Sequence, residues 1–368
     1  MKFIRSLPRS LKIFFAASLV ILLLLPLFRF IPAFADWFCR YPAALFRLGL
    51  GAVSSVFPFS LFEWIILLGI FYLIFLFFFL PLTLIRRKKT GKSPRLAPFL
   101  LAVPVVLITV LDLFVLTFAS SYYRPSPVGE IAPDVENVET EDVFYALDSL
   151  IRTVNETAPE LKKDENGASA ALPFKEVNQR VKDACDAFGG RNAFYQTKGY
   201  QAKTFVSSPV MTYTHISGIF GFFTGEANVN TNYPHFIITP SLAHESCHAR
   251  GIAPENECNF LAAVILMESG DPYLRYCGAS FVLDDFISVC RKLDRERTNE
   301  MLKSLDPVFA ADMRAYSEFF TPYRDSTAAK VADATNSAYL KSMGQKEGTV
   351  SYSRIIRLTA AYFREKTT

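Results

Sequence analysis

Hydrophobic and polar positions divide the chain into two unequal parts. Before residue 121, three stretches are apolar on every face: Leu11 to Phe34, Trp64 to Ile85 and Leu96 to Phe118. Ile13 to Phe28 and Trp64 to Ile85 contain no charge, and the third stretch holds one acid, Asp112. Each is close to the ~20 residues that cross a ~30 Å hydrocarbon layer as a helix. None shows the polar stripe expected of a helix half-buried in a soluble core. The pattern predicts three transmembrane helices (11–34, 64–85 and 96–118) within a membrane domain covering residues 1–122. Tyr41 to Pro58, mildly apolar with small residues, is expected to lie on the outer membrane face or dip into it.

A proline-rich linker, residues 123–135, follows, and the pattern then changes to that of a separate domain over 136–368. Val143, Leu147, Leu150 and Ile151 share one helical face; Phe174, Val177, Val181 and Ala184 share another. Lys203 to Thr214 reads as β-rich through Phe205, Val206, Val210 and Tyr213, and Ala227 to Asn230 as a second short strand. Gly218, Gly221 and Gly225 mark turns between them. Helices are expected from about Pro240, from Pro254, and over Phe281–Leu293, Val308–Phe320, Ala328–Met343 and Tyr352–Phe363. The fold class is therefore mainly α, with a small sheet in the second domain.

Charge placement orients the chain. Lys2, Arg5, Arg9 and Lys12 precede the first span, and Arg86, Arg87, Lys88, Lys89, Lys92 and Arg95 fill the link between spans two and three. The other link has only Arg40 and Arg47. Basic segments stay in the cytoplasm, so the amino terminus is expected inside and the second domain outside. The first apolar run is too long for a signal-peptide core and lacks a small-x-small cleavage site, so it reads as a retained anchor. Arg29 lies about 18 residues into span one and Asp112 about 16 into span three, which predicts that they pair at similar depth.

The composition agrees: 51% apolar and 20% charged, with 35 Phe, is too greasy for a disordered chain. The net charge of +4 forms no basic stripe with interleaved aromatics, which argues against a nucleic-acid partner and leaves the lipid bilayer as the implied one. Six cysteines (39, 185, 247, 258, 277 and 290) show no CxxC spacing. Cys247 and Cys258 sit in apolar helical patterns and are expected as buried small residues.

Two of the four histidines form His244-Glu245-Ser246-Cys247-His248, an HExxH sequence. On a helix, residues i and i+4 share a face, so both imidazoles can bind one metal ion, with Glu245 beside them to take a proton from water. Gly251 can end that helix in a left-handed conformation. A catalytic zinc needs a third protein ligand, and Glu255 and Glu257 are the candidates just downstream. They point about 200° apart on a helix, so only one can face the ion. Glu255 is preferred because Asn259 follows it at i+4, where it can hold an imidazole or the carboxylate. His215, Tyr273 and Tyr276 are the candidate donors to an oxyanion. The Gly225 to Asn230 segment is a candidate edge strand for an extended peptide, with a buried hairpin as the equal alternative.

HExxH followed by Glu-x-x-x-Asn resembles the gluzincin metallopeptidases, which include thermolysin-type and membrane-bound prenyl-protease types. The resemblance implies a zincin-like extracytoplasmic domain in which His244, His248 and Glu255 bind Zn2+ and Glu245 is the general base. The gap from His248 to Glu255 is much shorter than in thermolysin-like enzymes, and Asn259 stands where many gluzincins have Asp. A second resemblance spans nearly the whole chain. The basic start, three spans, Phe223–Asn230, His244–Gly251, Glu257–Phe260, Tyr339–Gln345 and Ser351-Tyr352 are similar to an uncharacterised bacterial membrane family, domain of unknown function 3810. The expected function is a membrane-anchored zinc-dependent peptidase hydrolysing a peptide or protein substrate outside the cytoplasm. The alternative is a non-catalytic membrane protein whose ectodomain binds a partner or cell-wall component, with a structural metal or none.

Overall fold

The structure, a computed structural model of the chain, describes residues 8–90, 97–343 and 352–366. Lys2, Arg5, Lys92, Arg95, Gly344, Gln345 and Ser351, and the side chains of Arg87 and Tyr352, lie outside the described residues. The chain is mainly helical with one small mixed sheet of three strands. It divides into two units: Met1–Arg124 with Gly221–Glu226, and Pro125–Phe220 with Ala227–Thr368.

The first unit contains α1 (Arg9–Leu22), α2 (Leu24–Phe30), α3 (Pro32–Arg40), α4 (Pro42–Ser55), α5 (Leu61–Thr90), α6 (Ala97–Phe114), a π turn (Val115–Ala119) and α7 (Ser120–Tyr123). Three continuous runs, Arg9–Phe30, Leu61–Arg86 and Phe99–Tyr123, are long and apolar enough to cross a membrane. On α5, Leu68, Phe71 and Phe77 project outward, more than 60% exposed (63%, 64% and 75%). Water would penalise such a surface and lipid tails do not, so this is a membrane protein. Prolines open α3 and α4 in their first turns, where the missing N–H has no helical partner to lose.

Several buried polar groups of the first unit find partners within it. Glu226 accepts hydrogen bonds from Leu61 N at 3.1 Å and Phe62 N at 2.7 Å, which caps α5. Buried Arg47 donates to the Thr117 carbonyl at 2.7 Å, within the π turn, and to the Cys39 carbonyl at 3.0 Å. Asp112 corrects one expectation: it accepts from the Ser18 hydroxyl at 2.6 Å and makes no ion pair with Arg29, which is exposed. Ser18 lies about eleven residues before Arg29, or roughly 16 Å along a helix at 1.5 Å per residue. The helical register, set by where the chain starts to turn, therefore separates the two charges.

The second unit contains α8 (Thr140–Thr157), α9 (Phe174–Arg191), β1 (Lys203–Thr204), α10 (Ser208–Met211), β2 (Gly218–Gly221), β3 (Glu226–Val229), α11 (His235–Ala249), α12 (Glu255–Met267), α13 (Pro272–Leu293), α14 (Arg295–Leu302), α15 (Pro307–Phe320), α16 (Thr327–Ser342) and α17 (Tyr352–Glu365). α12 is the axis of the core: Phe260 to Leu266 are all buried, the signature of a helix apolar on every side. α11, α13 and α17 pack around it. α8 lays Val143, Leu147, Leu150 and Val154 against the same core and starts from a reciprocal capping box between Glu139 and Asp142.

In the sheet, β3 is central. It runs parallel to β1, with Lys203 opposite Asn228 and Thr204 opposite Val229, and bonds β2 on its other side. The segment from Gly225 to Asn230 is therefore not an edge strand; β1 and β2 are the edges. Of the β-rich stretch from Lys203 to Thr214, only Lys203 and Thr204 are extended. Ser208–Met211 is helical because Pro209 favours a first helical turn, and the Thr212 hydroxyl donates to the Ser208 carbonyl at 3.0 Å. α11 likewise begins earlier than its sequence suggests. Pro234 sits at its N-cap, accepting from Ile237 N at 2.9 Å and Ile238 N at 3.0 Å, and Pro240 is carried inside the helix.

Candidate metal centre

α11 presents His244 and His248 one turn apart on one face, with ring centroids 4.8 Å apart. The helix then stops at once. Gly251 takes a φ of +93°, a left-handed conformation that only glycine adopts without a steric cost. Ile252 N donates to the Cys247 carbonyl at 3.1 Å, closing the reversal. Pro254 caps α12, which begins on Glu255, so the tight turn returns this carboxylate to both imidazoles. Glu255 Oε2 lies 3.1 Å from His244 Nε2 and 3.6 Å from His248 Nε2.

This donor set fits a divalent cation. Ligand atoms of His244, His248 and Glu255 all lie within 4.8 Å of one another. Metal–ligand bonds of about 2.0–2.2 Å at a tetrahedral angle put two ligands roughly 3.4 Å apart. The His–Glu separations of 3.1 and 3.6 Å straddle that edge. Two nitrogens and one oxygen also leave a fourth position free for water. Glu257 turns elsewhere, accepting from the Ser126 hydroxyl at 2.6 Å. The Asn259 side chain makes no hydrogen bond among the described residues. The orienting role expected of it falls to the Ile252 carbonyl, which accepts from His248 Nδ1 at 2.9 Å and so aims Nε2 at the cluster. Cys258 Sγ stands 3.3 Å from the same nitrogen. Burial pushes the Cys258 thiol well up, so it stays protonated there. All six cysteines are buried free thiols.

The electrostatics of the cluster are those of a cation site holding a proton. Burial disfavours a charged His248, but the Glu255 carboxylate overrules it and pushes the imidazole up to about 9. Desolvation works to raise Glu255, yet the two imidazoles hold it well below the usual carboxylate range. Glu245 is different. It is buried, its carboxyl is raised chiefly by that burial, and it accepts a backbone hydrogen bond from Phe220. Its Oε2 has no hydrogen-bond partner. β2 presses directly on this side chain: a Cβ on Gly218 would stand 2.6 Å from Glu245 Cγ and Oε1. A larger residue there would have to push this carboxylate aside.

The expected oxyanion donors each hold another hydrogen-bond partner. The Tyr276 hydroxyl donates to Asp312 Oδ2 at 2.5 Å, deep in the core. Tyr273 donates to His235 Nδ1 at 2.8 Å. His215, at a φ of +59°, donates from Nε2 to the Tyr323 carbonyl at 2.7 Å. The structure thus brings His244, Glu245, His248 and Glu255 together, while the polar groups of His215, Tyr273 and Tyr276 are each bonded to another partner. Sequence reasoning missed Gly218, Phe220, Ile252 and Cys258. Cys258 alone left a trace, three residues after Glu255 and so on the same helical face.

The sequence model of a family described as "Protein of unknown function (DUF3810)" matches residues 40–360. No curated protein and no solved structure matches the chain.

Proposed function

This chain belongs to the DUF3810 family of proteins of unknown function, and from its site we propose that it is a membrane-anchored zinc-dependent peptidase. Its second unit is the extracytoplasmic, zincin-like part, and the substrate is a peptide or protein outside the cytoplasm. One observation carries this reading: two imidazoles and a carboxylate converge, and beside them is a buried carboxylate whose Oε2 has no partner. A purely structural ion needs no such neighbour. The placement of Lys and Arg supports the orientation, with Arg86, Lys88 and Lys89 following the second span.

His244 Nε2, His248 Nε2 and Glu255 Oε2 would hold the ion. When bound, it acidifies water and polarises a peptide carbonyl as a Lewis acid. Glu245 supplies the base. Its burial raises its proton affinity, and Phe220 fixes one oxygen, leaving Oε2 free to take a proton from water attacking the carbonyl. The same oxygen then delivers that proton to the departing amine, so the residue ends as it began. Ile252 O keeps His248 in the tautomer that offers Nε2 to the ion. The test is zinc content and peptide hydrolysis by the full-length protein, as wild type and as Glu245→Gln. Equal zinc with hydrolysis lost in the variant supports the reading. Bound metal with no Glu245-dependent cleavage across a broad peptide panel points instead to a non-catalytic ectodomain.

A further inference from the structure

One turn before the histidine pair, the second unit encloses a cavity of about 330 Å³. Two residues tie it to the site. Ser241 on α11 lines it, three and four positions before His244 and Glu245, and so on their side of the helix. Ser217 lines it as well, and the next residue, Gly218, lies against Glu245. The cavity therefore adjoins the elements that carry the base, within one helical turn of it along α11. At the low end of the ~300–1,000 Å³ range of ligand pockets, it suits one side chain of a larger substrate.

Its walls are aromatic and its charge is of one sign. Tyr316 and Phe320 from α15 face the cavity with ring centroids 5.5 Å apart, and Tyr233 stands 6.5 Å from Phe320. Phe236 adds a further ring. Asp284 and Asp285, from α13, are the charged residues of the lining, and neither has an ion-pair partner among the described residues. No Lys or Arg lines the cavity, and His215 already donates to the Tyr323 carbonyl. Burial, with Asp284 alongside, pushes Asp285 up to about 6, the mark of a carboxylate without a compensating cation. Ring faces attract cations, and carboxylates complete their recognition with charge-assisted hydrogen bonds.

We propose that this cavity is the specificity pocket of the site, taking a lysine or arginine side chain of the peptide substrate. The cation lies between the tyrosine and phenylalanine faces and Asp284 and Asp285, and its alkyl stem packs on Phe236. The proposal rests on the peptidase reading for the word substrate, and its test is chosen to separate the two.

The probes are acetyl-Ala-Lys-Ala-amide and its norleucine counterpart, titrated by calorimetry into the full-length protein in detergent. The lysine peptide is expected to bind at least tenfold more tightly. In an Asp284→Asn, Asp285→Asn double variant that difference disappears, while norleucine binding and zinc content stay as in wild type. Neither aspartate has a structural partner to lose, so the variant keeps its fold. Added salt narrows the wild-type difference. Equal binding of the two peptides by wild type, or a lysine preference surviving in the double variant, overturns the proposal. So does cadaverine binding as tightly as the lysine peptide, which marks a free-amine site. Cleavage without a lysine preference removes the pocket and leaves the peptidase. A lysine preference without Glu245-dependent cleavage removes the peptidase and leaves a pocket for basic peptides.

Discussion

The second unit holds two clusters that combine histidine with carboxylate, and they differ in how their polar atoms are partnered. In the first, Asp312 accepts from Ser169 N at 2.8 Å, Ser169 Oγ at 2.7 Å and Tyr276 at 2.5 Å, while His235 bonds the Ser169 carbonyl and Tyr273. Every polar atom of those side chains has a partner. In the second, Glu245 Oε2 has none, and His244, His248 and Glu255 are pressed together around a point between them. A satisfied buried network locks α13 and α15 to the loop at Ser169. A buried acceptor without a partner is a standing cost, and here it sits beside three converged ligand atoms. Residue type alone does not separate structural from reactive clusters; the accounting of donors and acceptors does.

The strongest way to sharpen this contrast is Glu245→Gln. It should lower kcat/KM for peptide hydrolysis on the order of 10³-fold, within the range of a lost general base. Its melting temperature without metal should not fall, because the variant removes a buried charge. Asp312→Ala should do the converse. It strands the Ser169 amide and the Tyr276 hydroxyl and should cost about 3 kcal/mol in unfolding free energy. The turnover of the molecules that remain folded should be unchanged. A fall in turnover without a fall in stability would merge the two clusters into one functional unit.

The metal-ligand cluster also carries a pH dependence. His248 is raised to about 9 by Glu255, and a metal must displace that proton. Zinc affinity of the stripped protein should therefore climb about tenfold per pH unit from pH 7 toward 9, read by competition with a chromogenic chelator. The same pair sets the sign for stability of the stripped protein. The His248 contribution is complete below its unfolded value near 6.5 and is lost as pH rises through about 9. That of Glu255 is complete above its unfolded value near 4.5 and is lost as pH falls through its lowered one.

Smaller effects complete the series. Gly218→Ala forces a methyl group to within 2.6 Å of Glu245 Cγ, and moving the base should lower turnover about tenfold while zinc content holds. Tyr276→Phe should cost about 1 kcal/mol of stability for its bond to Asp312 and leave turnover intact, whereas an oxyanion donor would show the reverse.

These contrasts also mark what was legible in the sequence. Uncharged runs of full spanning length, such as Trp64 to Ile85, leave one physical option, and α5 is helical throughout. The spacing of His244 and His248 needs only helical geometry, and Gly251 needs only its φ. The partner of Asp112 depended on the register between two helices, which hydropathy does not encode. Phe205 to Tyr213 carries strand-forming residues, yet Pro209 and the hydroxyls of Ser208 and Thr212 turn it into helix. Tyr276 looked available in sequence because its acceptor, Asp312, is 36 positions away. Gly218 was read as a turn because nothing local reveals that Glu245 lies over it. Local rules reach contacts within a turn or two, and the two buried clusters are distinguished by contacts that span tens of residues.

X-ray absorption at the zinc edge of the zinc-loaded, full-length protein tests the centre of this account most directly. One zinc per chain is expected, with only light ligands at about 2.0–2.2 Å, two of them imidazoles, and loss of one imidazole in His244→Ala. A sulfur shell near about 2.3 Å would place Cys258 on the metal, and spectra indifferent to His244→Ala would put the ion elsewhere; either contradicts the account.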